Sequence, residues 1–164
     1  MNKSVNKSEK YIGFDPLIND DSEFLILGSF PSVKSRENNF YYGHPQNRFW
    51  KMLASIFHED LPKSIEEKKV LCKKHKIALW DVIIESDIKG SSDFNLEKSN
   101  YKICNLNNLL KKYKKIRTII CNGKLSYKLF IKFFNIPIEV FCLPSTSPAN
   151  PRFNINEWKN VLLK

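Results

Sequence analysis

Long apolar runs, paired cysteines and phosphate-binding glycine patterns are all missing from this 164-residue chain, and each absence removes a class of function. No stretch reaches the roughly 18 consecutive apolar residues of a membrane span, and residues 1–10 lack the apolar segment of a secretory signal. An intracellular, cytoplasmic protein with no membrane partner is expected. The four cysteines, Cys72, Cys104, Cys121 and Cys142, stand singly, and the three histidines, His44, His58 and His75, show no ligand spacing. No metal centre is indicated. Cys121 and Cys142 each close an apolar run, so buried free thiols are expected there. Neither a G-x-x-x-x-G-K-[ST] nor a G-x-G-x-x-G pattern occurs, which argues against a nucleotide-binding domain, and no serine sits in a G-x-S-x-G elbow. Acidic residues are scarce too: 17 Asp plus Glu face 27 Lys plus Arg, a formal net charge of +10. Such a surface attracts polyanions, nucleic acid first among them, although an AT-rich coding sequence would leave a similar composition.

What is present suffices for one core: 42% of residues are hydrophobic and 13% aromatic. Residues 1–21 read as a loosely packed arm held through Tyr11, Ile12 and Phe14, and residues 22–164 as a single domain. Strands are expected at 24–27, 77–80, 116–121 and 138–143. Between them fall helical patterns at 46–57, at 64–75 behind a Ser64-Ile65-Glu66-Glu67 capping box, and from Leu125 to Phe133. A further helix is expected to carry Ile103, Leu106, Leu109, Leu110 and Tyr113, and a last one surrounds Trp158. Strands alternating with helices predict an α/β fold whose mainly parallel sheet is covered on both faces.

In such a sheet the loops leaving the carboxyl ends of strands converge, which would bring 28–32, Asp81, Asn122 and 145–150 to one crevice. The run Leu25-Ile26-Leu27-Gly28-Ser29-Phe30-Pro31-Ser32 reads as a buried strand opening into a tight loop whose amides can approach a flat ligand. Asn122 offers a donor and an acceptor together, as reading a base edge requires, or it is the first residue of an ordinary Asn-Gly turn. Tyr41 and Tyr42 supply rings for stacking or for the core, with Tyr42 favoured as the stacker because neighbours in an extended segment point to opposite sides. Asn47 either caps the following helix or orients a water with its amide oxygen.

Four blocks together resemble the uracil-DNA glycosylase superfamily, and within it the hypoxanthine-DNA glycosylase branch, also described as DNA-deoxyinosine glycosylases. They are Gly28-Ser29-Phe30-Pro31-Ser32, Tyr41-Tyr42-Gly43-His44-Pro45-Gln46-Asn47-Arg48-Phe49-Trp50, Ala78-Leu79-Trp80-Asp81-Val82 with Gly90-Ser91-Ser92-Asp93, and Leu143-Pro144-Ser145-Thr146-Ser147-Pro148-Ala149-Asn150. The resemblance implies a three-layer α/β/α sandwich and a cofactor-independent monofunctional enzyme that flips a deaminated base from DNA and hydrolyses its glycosidic bond. It implies a pocket of Gly28, Ser29, Phe30, Pro31, Tyr42 and Asn122, with Asn47 catalytic. Ser32, Ser91, Ser92, Ser145, Thr146, Ser147, Pro148, Ala149, Asn150 and Arg152 would meet DNA, the 145–150 loop as a stiff wedge and Arg152 at a phosphate. Its partners would be DNA containing deaminated bases and the enzymes that process abasic sites, the chain itself being a monomer that works at the nucleoid. Uracil-specific and mismatch-specific relatives carry an acidic residue or Asn just before the proline of the first loop; Phe30 stands there, so orienting water falls to Asn47 and hypoxanthine is the expected base. The alternatives are a uracil or mismatch-specific glycosylase and a catalytically silent nucleic-acid-binding module.

Overall fold

The computed structural model describes residues 10–87 and 93–164, with the backbone alone at 93–95. In chain order its elements are β1 (Tyr11–Ile12), β2 (Phe24–Gly28), α1 (Val33–Glu37), α2 (Phe49–Ile56), α3 (Ile65–Lys74), β3 (Ile77–Asp81) and β4 (Ile83–Ser86). They continue with α4 (Asp93–Lys98), β5 (Tyr101–Ile103), α5 (Leu106–Lys112), β6 (Thr118–Asn122), α6 (Lys124–Phe133), β7 (Glu139–Leu143) and α7 (Ile155–Leu162).

The four expected strands form one sheet in the order β3-β2-β6-β7, every neighbouring pair parallel. β2 and β3 are buried along their whole length, which is why both read as unbroken apolar runs. The strand period of two then sorts the side chains. Phe24, Ile26, Ile77, Leu79 and Ile120 join one core with Phe49, Leu53, Leu71, Trp158 and Leu162 from α2, α3 and α7. Leu25, Leu27, Ala78, Trp80, Ile119 and Cys121 face the other core, closed by Leu106 and Leu109 of α5 and Leu125, Leu129 and Phe130 of α6. Helices thus cover both faces, and the three-layer expectation is met. The capping box at Ser64 is present, with Glu67 N donating to Ser64 Oγ at 3.1 Å and Glu67 Oε2 accepting from Ser64 N at 3.3 Å.

Three expectations need correction. Ile103 lies in a strand rather than a helix, and β1, β4 and β5 build a small antiparallel sheet in the order β1-β4-β5. Strands of two to four residues are too short for a periodic signal. The arm is tied to the body: Tyr11 and Ile12 pair with Ser86 and Glu85, Gly13 N donates to the Ile84 carbonyl, and Leu17 bridges Leu79. Ile12 itself is 71% exposed, leaving Tyr11 and Phe14 to do the packing. Cys142 is exposed because β7 is an edge strand, while Cys121 is buried as expected. Among the described residues, no helix is long and apolar enough to cross a membrane, and no group of three or more His, Cys, Asp or Glu could hold a metal ion.

Candidate active site

In the strand order β3-β2-β6-β7 the chain leaves β2 toward β3 on one side and later returns to β6 on the other. The carboxyl ends of β2 and β6 therefore mark the switch point where a crevice must open. A cavity of about 200 Å3 lies at this edge. Gly28, Asp81 and Asn122 end their strands on one face, the face of Ile26, Leu79 and Ile120, and all three line it. Around them stand Ser29, Phe30, Pro31 and Ser32 of the first loop, Tyr42, His44 and Asn47, the start of α6 at Lys124, and Ser145, Thr146, Ser147 and Pro148.

Gly28 leaves the room that the Asp81 carboxyl occupies. A Cβ there would run into Asp81 Oδ1, its register partner on β3, and would sit 3.5 Å from Tyr42 Oη. Asp81 is only 5% exposed, and its Oδ2 is buried without a hydrogen-bond partner. Burial pushes its carboxyl up from the ordinary carboxylate range to about 7.

Tyr41 and Tyr42 part company, though not through an extended segment. They occupy a turn, and Tyr42 has φ 52, a left-handed conformation that a ring-bearing residue adopts only when its surroundings impose it. Tyr41 points inward, donating from Oη to the Asp15 carbonyl at 2.6 Å while its own carbonyl accepts from Trp50 Nε1 at 3.0 Å. The Tyr42 ring stacks on Phe49 at 4.1 Å between centroids, leaving the residue half-buried on the cavity wall. Its hydroxyl is buried and lacks a hydrogen-bond partner. Burial, then the nearby Asp81, holds that phenol well above its usual range, and the approach of the Asn122 amide opposes the shift in part.

Asn47 Oδ1 accepts from Phe49 N at 2.9 Å from one residue ahead of the N-cap of α2, which is Arg48 and has no side-chain cap bond, and Asn47 lines the cavity. Asn122 is tied to the last loop: its Oδ1 accepts from Thr146 N and its Nδ2 donates to Thr146 Oγ1, both at 3.0 Å. Each bond uses one of the two hydrogens or one of the two lone pairs of the carboxamide, and Asn122 lines the cavity. Thr146 is 0% exposed, which removes it from any direct surface on DNA. Pro148, Ala149 and Arg152 are exposed, and Ser145, Ser147 and Asn150 are half-buried in the same loop. Ser32 is the N-cap of α1, its Oγ accepting from Ser35 N at 3.1 Å. Ser91 and Ser92 lie outside the described residues.

A model of the uracil DNA glycosylase superfamily matches residues 16–162. The chain belongs to that superfamily. It is 35% identical over 153 residues to a hypoxanthine DNA glycosylase of Methanosarcina acetivorans, covering 91% of this chain and 96% of the relative. A second hypoxanthine DNA glycosylase, from Methanosarcina barkeri, is 34% identical over 143 residues, with 85% and 88% covered. Among solved structures, the solution NMR structure of a candidate uracil DNA glycosylase from Methanosarcina acetivorans superposes with a TM-score of 0.82. It shares 31% identity and covers 94% of this chain and 97% of that one.

Within this superfamily framework four contributions escaped the sequence reading in whole or in part. Arg48 binds the last loop from beneath, Nη1 donating to the Ser147 and Asn150 carbonyls at 3.0 and 2.9 Å, while its backbone N–H donates to the Thr146 carbonyl. An arginine next to a catalytic candidate carries no local signal for a partner about a hundred residues away. Ser35, 4% exposed, accepts from Gly43 N at 3.0 Å and so anchors the aromatic turn. Asp81 was placed at the crevice by its position after a strand, yet nothing in the sequence marked its carboxyl as unpartnered. Gly123, at φ 99, supplies a turn only glycine makes easily, and the helix it opens has no side-chain cap. That uncapped end reaches the cavity, where the helix dipole favours negative charge.

Proposed function

We propose that this chain is a monofunctional DNA glycosylase that flips deoxyinosine from DNA and hydrolyses its N-glycosidic bond. In the reaction a water oxygen bonds to sugar C1′ as the bond from C1′ to base N9 breaks; the base leaves with the electron pair and gains a proton. The products are hypoxanthine and an abasic site, which passes to downstream repair enzymes. The observation that carries the reading is the pairing of a fixed Asn47 carboxamide with a stacking Tyr42 on one cavity wall. Relatives named hypoxanthine DNA glycosylase, matched over 96% and 88% of their own length, support it.

Asn47 holds one lone pair on Phe49 N and keeps the other for a water, orienting attack and favouring positive charge on the sugar without removing a proton outright. Phe30, 6% exposed in the first loop, offers no such help, which favours hypoxanthine over uracil as the base. Gly28, Ser29, Phe30 and Pro31 wall the base. Ser145, Ser147, Pro148, Ala149 and Asn150 form the wedge at the duplex, and Arg152 meets a phosphate, in keeping with the +10 charge. Since every group named lies in one chain, a monomer suffices.

The test is single-turnover cleavage of duplexes carrying deoxyinosine, deoxyuridine or deoxyxanthosine, with Asn47→Ala alongside. Deoxyinosine should react fastest, and Asn47→Ala should lose about 100-fold or more in cleavage with duplex binding retained. Faster cleavage at deoxyuridine would overturn the substrate, equal loss of binding and cleavage would overturn the role of Asn47, and binding without turnover would make the chain a silent module.

A further inference from the structure

Deamination changes the edge of a base in one consistent way. Adenine N1 and cytosine N3 are bare acceptors; in hypoxanthine and uracil the same ring nitrogens carry a hydrogen and donate. A pocket that must tell the altered base from its parent therefore needs, opposite that nitrogen, a group that accepts and cannot donate. An amide fails the requirement because it can turn its NH2 toward a bare nitrogen. A carboxylate meets it.

We infer that Asp81 is the specificity-determining residue of the pocket, its carboxylate accepting the ring N–H that deamination creates. The inference rests on the glycosylase reading above. Asp81 is the carboxyl among the described lining residues of the cavity. One of its oxygens lies against the Gly28 Cα and the other is buried with no hydrogen-bond partner. Folded proteins rarely leave a buried carboxyl oxygen unmatched, and at this cavity the donors within reach of Asp81 are the equally unmatched Tyr42 Oη and an occupant of the cavity. The pairing with Gly28 points the same way: a side chain at 28 would displace the carboxyl, so the floor is built around it. Asn122, the other polar strand end on this face, is an amide that donates as well as accepts, and Thr146 holds one hydrogen and one lone pair of it.

Asp81 therefore sits where its charge state changes what it can read. The titratable groups that feel it are Tyr41 and Tyr42 from the aromatic turn and Cys104 after β5, each held in its neutral form by burial first of all. His44 and Lys124 stand elsewhere on the cavity wall. Above about pH 7 the carboxyl is ionised and accepts only; below it the acid O–H can donate to the bare N1 of adenine, and discrimination fades.

The experiment uses the whole chain and a deoxyinosine duplex, with free hypoxanthine and free adenine titrated as competing bases from pH 5.5 to 9, for wild type and Asp81→Asn. Binding of an abasic duplex, which has no base to read, reports that the variant is folded and binds DNA. For wild type at pH 8 hypoxanthine should compete at least about tenfold more strongly than adenine, and the ratio should fall toward unity at the acid end. In Asp81→Asn the ratio should be low and flat with pH, while the abasic duplex binds as before. A wild-type ratio that is flat across the range overturns the inference, without reference to the variant. So does a variant that keeps the wild-type ratio and its pH dependence. So does one that loses cleavage yet keeps both, which would assign Asp81 to water activation. A wild type inert on every deaminated duplex would sink the glycosylase reading and this inference with it; an active wild type with an unchanged variant sinks this inference alone.

Discussion

The rim and the floor of the cavity are built on opposite rules. At the rim, the loop over 145–150 is saturated with hydrogen bonds. Asn122 clamps Thr146, Arg48 holds the Ser147 and Asn150 carbonyls, Asn150 Nδ2 donates to the Ser145 carbonyl at 2.9 Å, and Ser147 N donates to Ser145 Oγ at 3.1 Å. At the floor, Asp81 Oδ2 and Tyr42 Oη are both buried and unmatched. A saturated loop is stiff before anything binds, so it meets a partner with little ordering cost. An unsaturated floor keeps an energetic debt that only the right occupant cancels. Saturated and unmatched polar groups are thus separated within one cavity.

The contrast is broken most severely at the floor. Asp81→Asn removes a carboxyl whose folded-state pKa is raised, and the sign follows directly. Between the ordinary value of 3.8 and about 7 the native state holds a proton that the unfolded chain has lost, so native stability falls as pH rises through that window. Asp81→Asn should therefore melt higher than wild type at pH 8, by at most about 4 kcal/mol, with the difference shrinking toward pH 4 in a pH series of thermal melts. Gly28→Ala should come next, lowering single-turnover excision about 100-fold, because the added Cβ displaces the Asp81 carboxyl. At the rim, Arg48→Ala takes away the partner of the Asn150 carbonyl and one of two bonds to the Ser147 carbonyl, which also accepts from Asn150 N, and should cost about 1 kcal/mol in urea unfolding, with weaker duplex binding. The smallest effect belongs to exposed Arg152, where Arg152→Ala should leave the single-turnover rate alone and lower the salt slope of duplex binding by about 1. A comparable salt-slope change in Gly28→Ala would erase the distinction between rim and floor.

Much of this architecture was legible beforehand, for reasons that differ by element. The four parallel strands announced themselves because strands buried on both faces need unbroken apolar runs, and the switch-point crevice followed from their alternation with helices. The small sheet of β1, β4 and β5 did not, since its strands are held by pairing rather than by any pattern of their own. Asn47 was readable as either cap or cavity group; it lines the cavity and binds the Phe49 N–H from one residue ahead of the N-cap, Arg48. Tyr42 was singled out for the wrong local geometry, because a left-handed turn rather than an extended segment carries it to the wall.

By itself the sequence determined the layered α/β fold, the loops that meet at the sheet edge and the superfamily to which the chain belongs. Patterns of burial and blocks of consecutive residues are local properties, and a chain displays them before it folds. Only the tertiary structure decided which polar groups find partners. Asn122 is tied to Thr146, Arg48 reaches across to a loop far along the chain, and Asp81 is left facing Gly28 with an oxygen unmatched. Hydrogen-bond satisfaction depends on distances between residues remote in sequence, so the group left free to read a ligand appears only when the strands lie side by side.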